Sequence, residues 1–231
     1  MDNELSTVAS VLAIAIPAIL AITLHEAAHG FAALAFGDPT AKESGRLSLN
    51  PFRHIDPFGT ILLPAMLKLA GSPFVFGWAK PVPVDFGRLR NPRRDMVWVA
   101  LAGPGMNIAL AIISALLLHT LPLWPPETLP FVQEVLGNSL VINVLLAVFN
   151  MIPLPPLDGG RVAVGLLPLP LARGLARTEK YGILLVIAVL VALPWLGSKI
   201  GIDLDIFAWT ILPLTGHLID LIAGLAGINL G

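Results

Sequence analysis

The stretch VLAIAIPAILAITLHEAAHGFAALAF, residues 11–36, decides how this chain is read. Within it stands His25-Glu26-Ala27-Ala28-His29, flanked by residues 11–24 and 31–36, which are almost wholly apolar. Two histidines at i and i+4 lie about one helical turn apart on one face. That spacing lets both imidazoles reach one metal ion, usually zinc (Zn2+), with a glutamate beside them to take a proton from an activated water. A soluble zinc hydrolase carries this pattern on an amphipathic helix. Here the helix is apolar all round and long enough to cross a bilayer, so hydrolysis is expected within the membrane.

Composition agrees. Of 231 residues, 56% are hydrophobic and 13% charged, where a soluble domain carries about 25% charged residues. The N-terminal Met1-Asp2-Asn3-Glu4 is acidic, so no secretory signal peptide is expected. Without cysteine there is no disulfide and no thiolate metal site. The net charge of -1 hides an uneven layout: nine of the 14 Lys and Arg lie between Lys42 and Arg94. Membrane orientation explains that block better than nucleic acid, for which no motif is visible.

The pattern predicts an all-α polytopic membrane protein with a small membrane-associated β-hairpin. About five spanning helices are expected, over residues 5–36, 95–121, from within 131–139 to 151, 181–196 and 207–226. Residues 58–70 are apolar but too short to cross a core that needs ~20 residues, and read as a re-entrant segment. Residues 74–86 read as the hairpin, with Gly77 near its turn. The whole is one domain, with a catalytic core over about 5–170 and accessory helices over about 178–231. Lys and Arg cluster after the first span, before the second and after the third, which puts those loops in the cytoplasm and the N-terminus outside. His29 and His25 then lie roughly 10 to 16 Å below the cytoplasmic surface, at ~1.5 Å per residue. Gly103-Pro104-Gly105-Met106-Asn107 and Asp158 fall at a similar depth.

Zinc hydrolases use three protein ligands and leave one position for water. His25 and His29 supply two. Asp158, in Leu157-Asp158-Gly159-Gly160, is the expected third, because an ionisable group in an apolar region is costly unless paired or metal-bound. The prolines before it and glycines after it suit irregular backbone, tolerable at membrane depth only inside protein or along a wet cavity. Glu26 is the expected general base, and then the acid to the leaving amine. Asn107 and Asn150 are candidate donors to the oxyanion or substrate.

Three motifs now carry a resemblance: His25-Glu26-Ala27-Ala28-His29, Gly103-Pro104-Gly105-Met106-Asn107, and Asn150-Met151-Ile152-Pro153-Leu154-Pro155-Pro156-Leu157-Asp158-Gly159-Gly160-Arg161. In this order and spacing the chain resembles the site-2 protease family of intramembrane zinc metalloproteases, in its small prokaryotic form without PDZ or nucleotide-sensing domain. The resemblance implies zinc on His25, His29 and Asp158, catalysis by Glu26 and substrate holding by Asn150. It also implies cleavage of single-pass transmembrane proteins or remnant membrane peptides in a prokaryotic cytoplasmic membrane, with the active site towards the cytoplasmic side. The oligomeric state is not legible.

In Lys80-Pro81-Val82-Pro83-Val84 the prolines alternate, so one edge lacks donors while the edge through Val82 and Val84 keeps them. A strand near a protease site can pair with an unwound substrate, which makes Val82 and Val84 candidate substrate contacts; the sequence leaves open which edge does so. Asn143 reads as a helix-packing polar residue, and Gly103-Pro104-Gly105 as a kink or close contact. His217 and Asp220, at i and i+3, read as local hydrogen bonding. Two rival functions remain: a membrane zinc transporter, which needs ligands along a path reaching both surfaces, and a catalytically silent scaffold that binds membrane helices.

Overall fold

The computed structural model describes residues 6–69 and 80–228. Among them ten α-helices follow in order: α1 Thr7–Ala35, α2 Thr40–Glu43, α3 Leu63–Leu69, α4 Pro92–Leu118, α5 Leu129–Asn150, α6 Asp158–Leu166, α7 Leu169–Ala176, α8 Gly182–Ile187, α9 Leu193–Ile200 and α10 Leu212–Ala226. Ser6 opens α1 by accepting the Ala9 N–H. Its end comes at Phe36, where Gly37 takes the positive φ of 107° that turns the chain away.

Four helices are long and apolar enough to cross a bilayer: α1, α4, α5 and the continuous Phe207–Ala226. A bent pair, Leu169–Tyr181 and Leu184–Ile200, meets at 75° and passes the same test as one broken span. These helices face outward with large apolar side chains; on α1 alone Val8, Val11, Leu12, Ile14, Ile16, Ile19 and Leu20 are exposed. An apolar exterior of that extent has no place in water, and the chain is a membrane protein. Residues 57–69 form a π-helical turn, Pro57–Leu62, running into α3. At ~1.5 Å per residue they reach roughly 20 Å, short of the ~30 Å hydrocarbon core.

The centre of the molecule is α1, α4 and α5 packed on one another, with α6 laid against α4. Small residues let these helices approach: Ala111 and Ala115 of α4 meet Leu140, Val144 and Val148 of α5, and Phe207, Ile211 and Ile222 close that cluster from the last span. A Cβ on Gly165 of α6 would overlap the Val97 side chain of α4, so this crossing depends on the glycine.

The expected β-hairpin is corrected. The described residues are 76% helical, and no strand occurs among them. Residues 74–79 of that expectation lie outside them. Residues 80–85 form neither helix nor ladder and end in a 3-10 turn, Phe86–Arg88. Pro81 and Pro83 favour extended backbone for themselves and for the residues before them, which is the pattern that suggested a strand. The available N–H groups find other acceptors. Lys80 N–H donates to the His54 carbonyl at 2.9 Å, Val82 N–H to Glu26 Oε2 at 2.7 Å and Asp85 N–H to Asp38 Oδ2 at 2.7 Å. Segment 80–85 is thus pinned to α1 and its flanking loops by carboxylates. Asp38, fully buried, also accepts from the Thr40 N–H and hydroxyl. Burial opposes its charge, but these donors and Arg88 outweigh that and hold its carboxyl below the usual range.

Candidate metal centre

The middle of α1 turns its buried face, including Ala21, His25 and His29, towards α4. Both imidazoles press against Gly103 of α4. A Cβ there would overlap His29 Nε2 and lie 2.6 Å from His25 Nε2, so only glycine leaves room for both rings. From α6, Asp158 enters the same space. It is the first residue of that helix, where the N-terminal dipole favours a carboxylate. The two following glycines allow the turn: Cβ atoms on Gly159 and Gly160 would overlap backbone atoms of Met151 and Pro155.

Asp158 Oδ2 stands 3.2 Å from His25 Nε2 and 3.3 Å from His29 Nε2. The two Nε2 atoms are 3.0 Å apart. All three residues are buried, at 5–7% exposure. The outer ring nitrogens are already engaged. His29 Nδ1–H donates to the Val99 carbonyl at 2.7 Å, and His25 Nδ1–H to Asn107 Oδ1 at 2.6 Å. A carbonyl only accepts, so the neutral rings carry their protons on Nδ1 and turn bare Nε2 lone pairs inward. Two lone pairs and a carboxylate oxygen then face one point with no donor among them, and Asp158 Oδ2 is a buried acceptor without a hydrogen-bond partner. Such a set calls for a cation. Zinc bonds of about 2.0–2.2 Å in a tetrahedral sphere put neighbouring ligand atoms roughly 3.3–3.6 Å apart, and the observed 3.0–3.3 Å lie at and just under the short end of that range. Among the described residues this is the one group of three His, Asp or Glu side chains converging on a common point.

Glu26 follows His25 on α1 and is half-buried, its Oε2 held by the Val82 N–H. Val82 packs against α1 at Gly30: a Cβ on that glycine would be 3.0 Å from Val82 Cγ1. Val84 packs against the cluster of Ala33, Leu89 and Val99. Asn107 is fully buried; its amide hydrogens go to Asn143 Oδ1 at 2.8 Å and to the Ala21 carbonyl at 3.4 Å. Asn150 ends α5 and donates to the Leu146 carbonyl at 3.0 Å. His217 bonds the Pro213 carbonyl one turn back. Val99, Gly103 and Asn143 take part beyond the residues expected to react. The Val99 carbonyl carries no side-chain signal at all. Gly103 is one turn from Asn107, and that i, i+4 spacing could have marked it as facing the same site. Asn143 was treated as packing alone.

Comparisons with known proteins agree on the chemistry. The chain is 40% identical over 177 residues to YwhC of Bacillus subtilis, which carries a zinc-metalloprotease name, covering 75% of this chain and 77% of that protein. It is 30% identical over 174 residues to the similarly named Rip2 of Mycolicibacterium smegmatis, covering 75% of this chain and 64% of that one. A shorter match, 41% over 64 residues, reaches MJ0611 of Methanocaldococcus jannaschii, again carrying that name, over 28% of this chain and 31% of that protein. No protein-family model matches the chain, and no solved structure does.

Proposed function

The chain belongs to the zinc metalloprotease family of YwhC and Rip2, and from that premise we propose that it is an intramembrane endopeptidase of the site-2 type, with Glu26 as its general base. The observation that carries this reading is the triangle of His25, His29 and Asp158, buried among helices whose outer faces are apolar. Zinc, when bound there, supplies a Lewis acid that makes water nucleophilic near neutral pH. The chain does the rest. His25, His29 and Asp158 hold the ion, and their buried setting strengthens every charge interaction at the site. Glu26 keeps one carboxylate oxygen on the Val82 N–H, leaving Oε1 to take the proton of the attacking water and return it to the leaving amine. Asn150, at the open end of α5, is the amide assigned to the substrate or oxyanion. Asn107 is assigned to the His25 ring, since its amide hydrogens already have acceptors.

Substrates in this reading are single-pass transmembrane proteins or remnant membrane peptides. A helix hides its carbonyls in internal hydrogen bonds, so the scissile segment must unwind and find new partners. Segment 80–84, whose Lys80 and Val82 N–H groups are already engaged, offers its carbonyls and the Val84 N–H for main-chain pairing. The bond from the Val82 N–H to Glu26 sets this segment beside the proposed base, which supports the stretch through Val82 and Val84 as the one bordering the scissile bond. The distribution of Lys and Arg supports an N-terminus outside and a site towards the cytoplasmic face of a prokaryotic membrane. A transporter would need further ligand sets leading outward, and the single described cluster favours hydrolysis instead.

The test is purified protein in proteoliposomes with a single-span reporter. Glu26→Gln is expected to keep stoichiometric zinc and lower cleavage by ~10²–10⁴-fold, the usual scale for general acid–base groups. Cleavage unchanged in that variant refutes the role of Glu26. Zinc flux without cleavage in the wild type refutes the protease reading.

A further inference from the structure

We propose that Asn143 of α5 is a positioning residue that fixes, through Asn107, which nitrogen of His25 is free to bind the metal. The proposal rests on the zinc-site reading above and adds a residue that never touches the ion.

The hydrogen bonds run inward from a fixed point. The Ser139 carbonyl accepts and cannot donate. Asn143 must therefore turn its Nδ2 towards that carbonyl, 2.9 Å away. Its Oδ1 then faces α4 and accepts from Asn107 Nδ2 at 2.8 Å. The other Asn107 amide hydrogen goes to a second obligate acceptor, the Ala21 carbonyl, at 3.4 Å. With both hydrogens so placed, Asn107 can present only Oδ1 to His25, and it lies 2.6 Å from Nδ1. The proton of the neutral ring is thereby held on Nδ1, leaving the Nε2 lone pair to face His29 and Asp158. A carbonyl of α5 thus sets the tautomer of a ring on α1.

Asn143 is the decisive link because the Ala21 contact is long, near the limit of a hydrogen bond. Flipping the Asn107 amide would set its oxygen against Asn143 Oδ1 and the Ala21 carbonyl, and would turn its NH2 towards His25 Nδ1. The ring proton would then move to Nε2, where it blocks the metal. With Asn107 and Asn143 at 0% and 1% exposure, no water can relieve the mismatched acceptors. Outer partners of metal-bound histidines typically change metal affinity 10–100-fold when removed.

The experiment uses the full chain in detergent, stripped of metal and titrated with zinc against a competing chelator. Wild type taking up no zinc refutes the proposed function itself. With wild type binding one equivalent, Asn143→Leu is expected to weaken zinc 10–100-fold. In metal-free protein, at a pH high enough that the rings are neutral, 15N spectra of labelled histidine are expected to show the His25 proton on Nδ1 in wild type and shared between nitrogens in Asn143→Leu. Ser114→Ala, in the same buried polar cluster but outside the relay, is expected to leave both unchanged. Should Asn143→Leu not fold, Asn143→Ser removes the same reach to Asn107 with a smaller change of volume, and the same loss is expected. Wild-type zinc affinity and an undisturbed His25 tautomer in a folded Asn143 variant overturn the proposal. So does a loss in Ser114→Ala equal to that in the Asn143 variant, because the polar cluster would then act by packing alone.

Discussion

Replacing Gly103 by alanine is the sharpest perturbation of the metal centre, because it adds one methyl group and removes nothing. That methyl would overlap His29 Nε2 and lie 2.6 Å from His25 Nε2, where ordinary contact begins at 3.4 Å. Both imidazoles must then retreat, His25 by about 0.8 Å and His29 by more, or α4 must back away from α1. Metal sites tolerate ligand displacements of only about 0.2 Å. Overpacking costs about 1–3 kcal/mol, while alanine in place of glycine within a helix returns about 1 kcal/mol. The net cost of at most about 2 kcal/mol is small against a typical stability of 5–15 kcal/mol, so Gly103→Ala should fold. Its zinc affinity should fall at least 100-fold, about 2.7 kcal/mol. Chelator competition together with metal content of the purified protein measures this. Gly105→Ala is the matched control, since a Cβ there meets nothing within 4 Å. Stoichiometric zinc at wild-type affinity in Gly103→Ala would refute the close apposition of the two imidazoles to α4.

Val82→Pro removes the N–H that holds Glu26 Oε2 while suiting the extended backbone of its neighbours. Losing a hydrogen bond to a charged group, about 1.5–3 kcal/mol, should lower kcat roughly 10–100-fold with bound zinc unchanged, whereas Val82→Ala, which keeps the N–H, should stay near wild type in a reporter assay. Asp38 titrates below its ordinary range in the folded protein, so the stability it contributes is present above the unfolded value of about 3.9 and is lost as pH falls through the lower folded value. Thermal melts from pH 6 down to pH 2 should therefore show a shallower acid limb for Asp38→Asn than for wild type; parallel limbs would remove Asp38 from the clamp on segment 80–85.

Apolar continuity made the long helices legible. Residues 5–36 and 95–121 were expected as spans, and α1 and α4 occupy Thr7–Ala35 and Pro92–Leu118. Their ends follow local chemistry, Gly37 closing one and Asn91-Pro92 opening the other. The hairpin failed for a local reason as well. Alternating Pro and Val signals extended backbone but says nothing about what accepts the remaining N–H groups, and here carboxylates 56 and 47 residues away in sequence do so. Helix-packing polarity is likewise a fair reading of Asn143, because a buried amide in an apolar helix looks the same whether or not its partner on the next helix, here Asn107, in turn backs a histidine.

Sequence by itself determined which side chains could share a metal and how far along the helix they stand. An i, i+4 histidine pair with an adjacent glutamate in an apolar helix is a local pattern, and the rise of a helix converts residue number into height. Tertiary structure alone decided that Gly103 is the surface against which both imidazoles rest, that Asn107 lies against the His25 ring, and that the Val82 N–H belongs to Glu26. These are contacts between segments 56 to 82 residues apart. Their geometry is set by how closely α1 and α4 approach, a distance fixed by the packing of small residues and written in no single stretch of the chain.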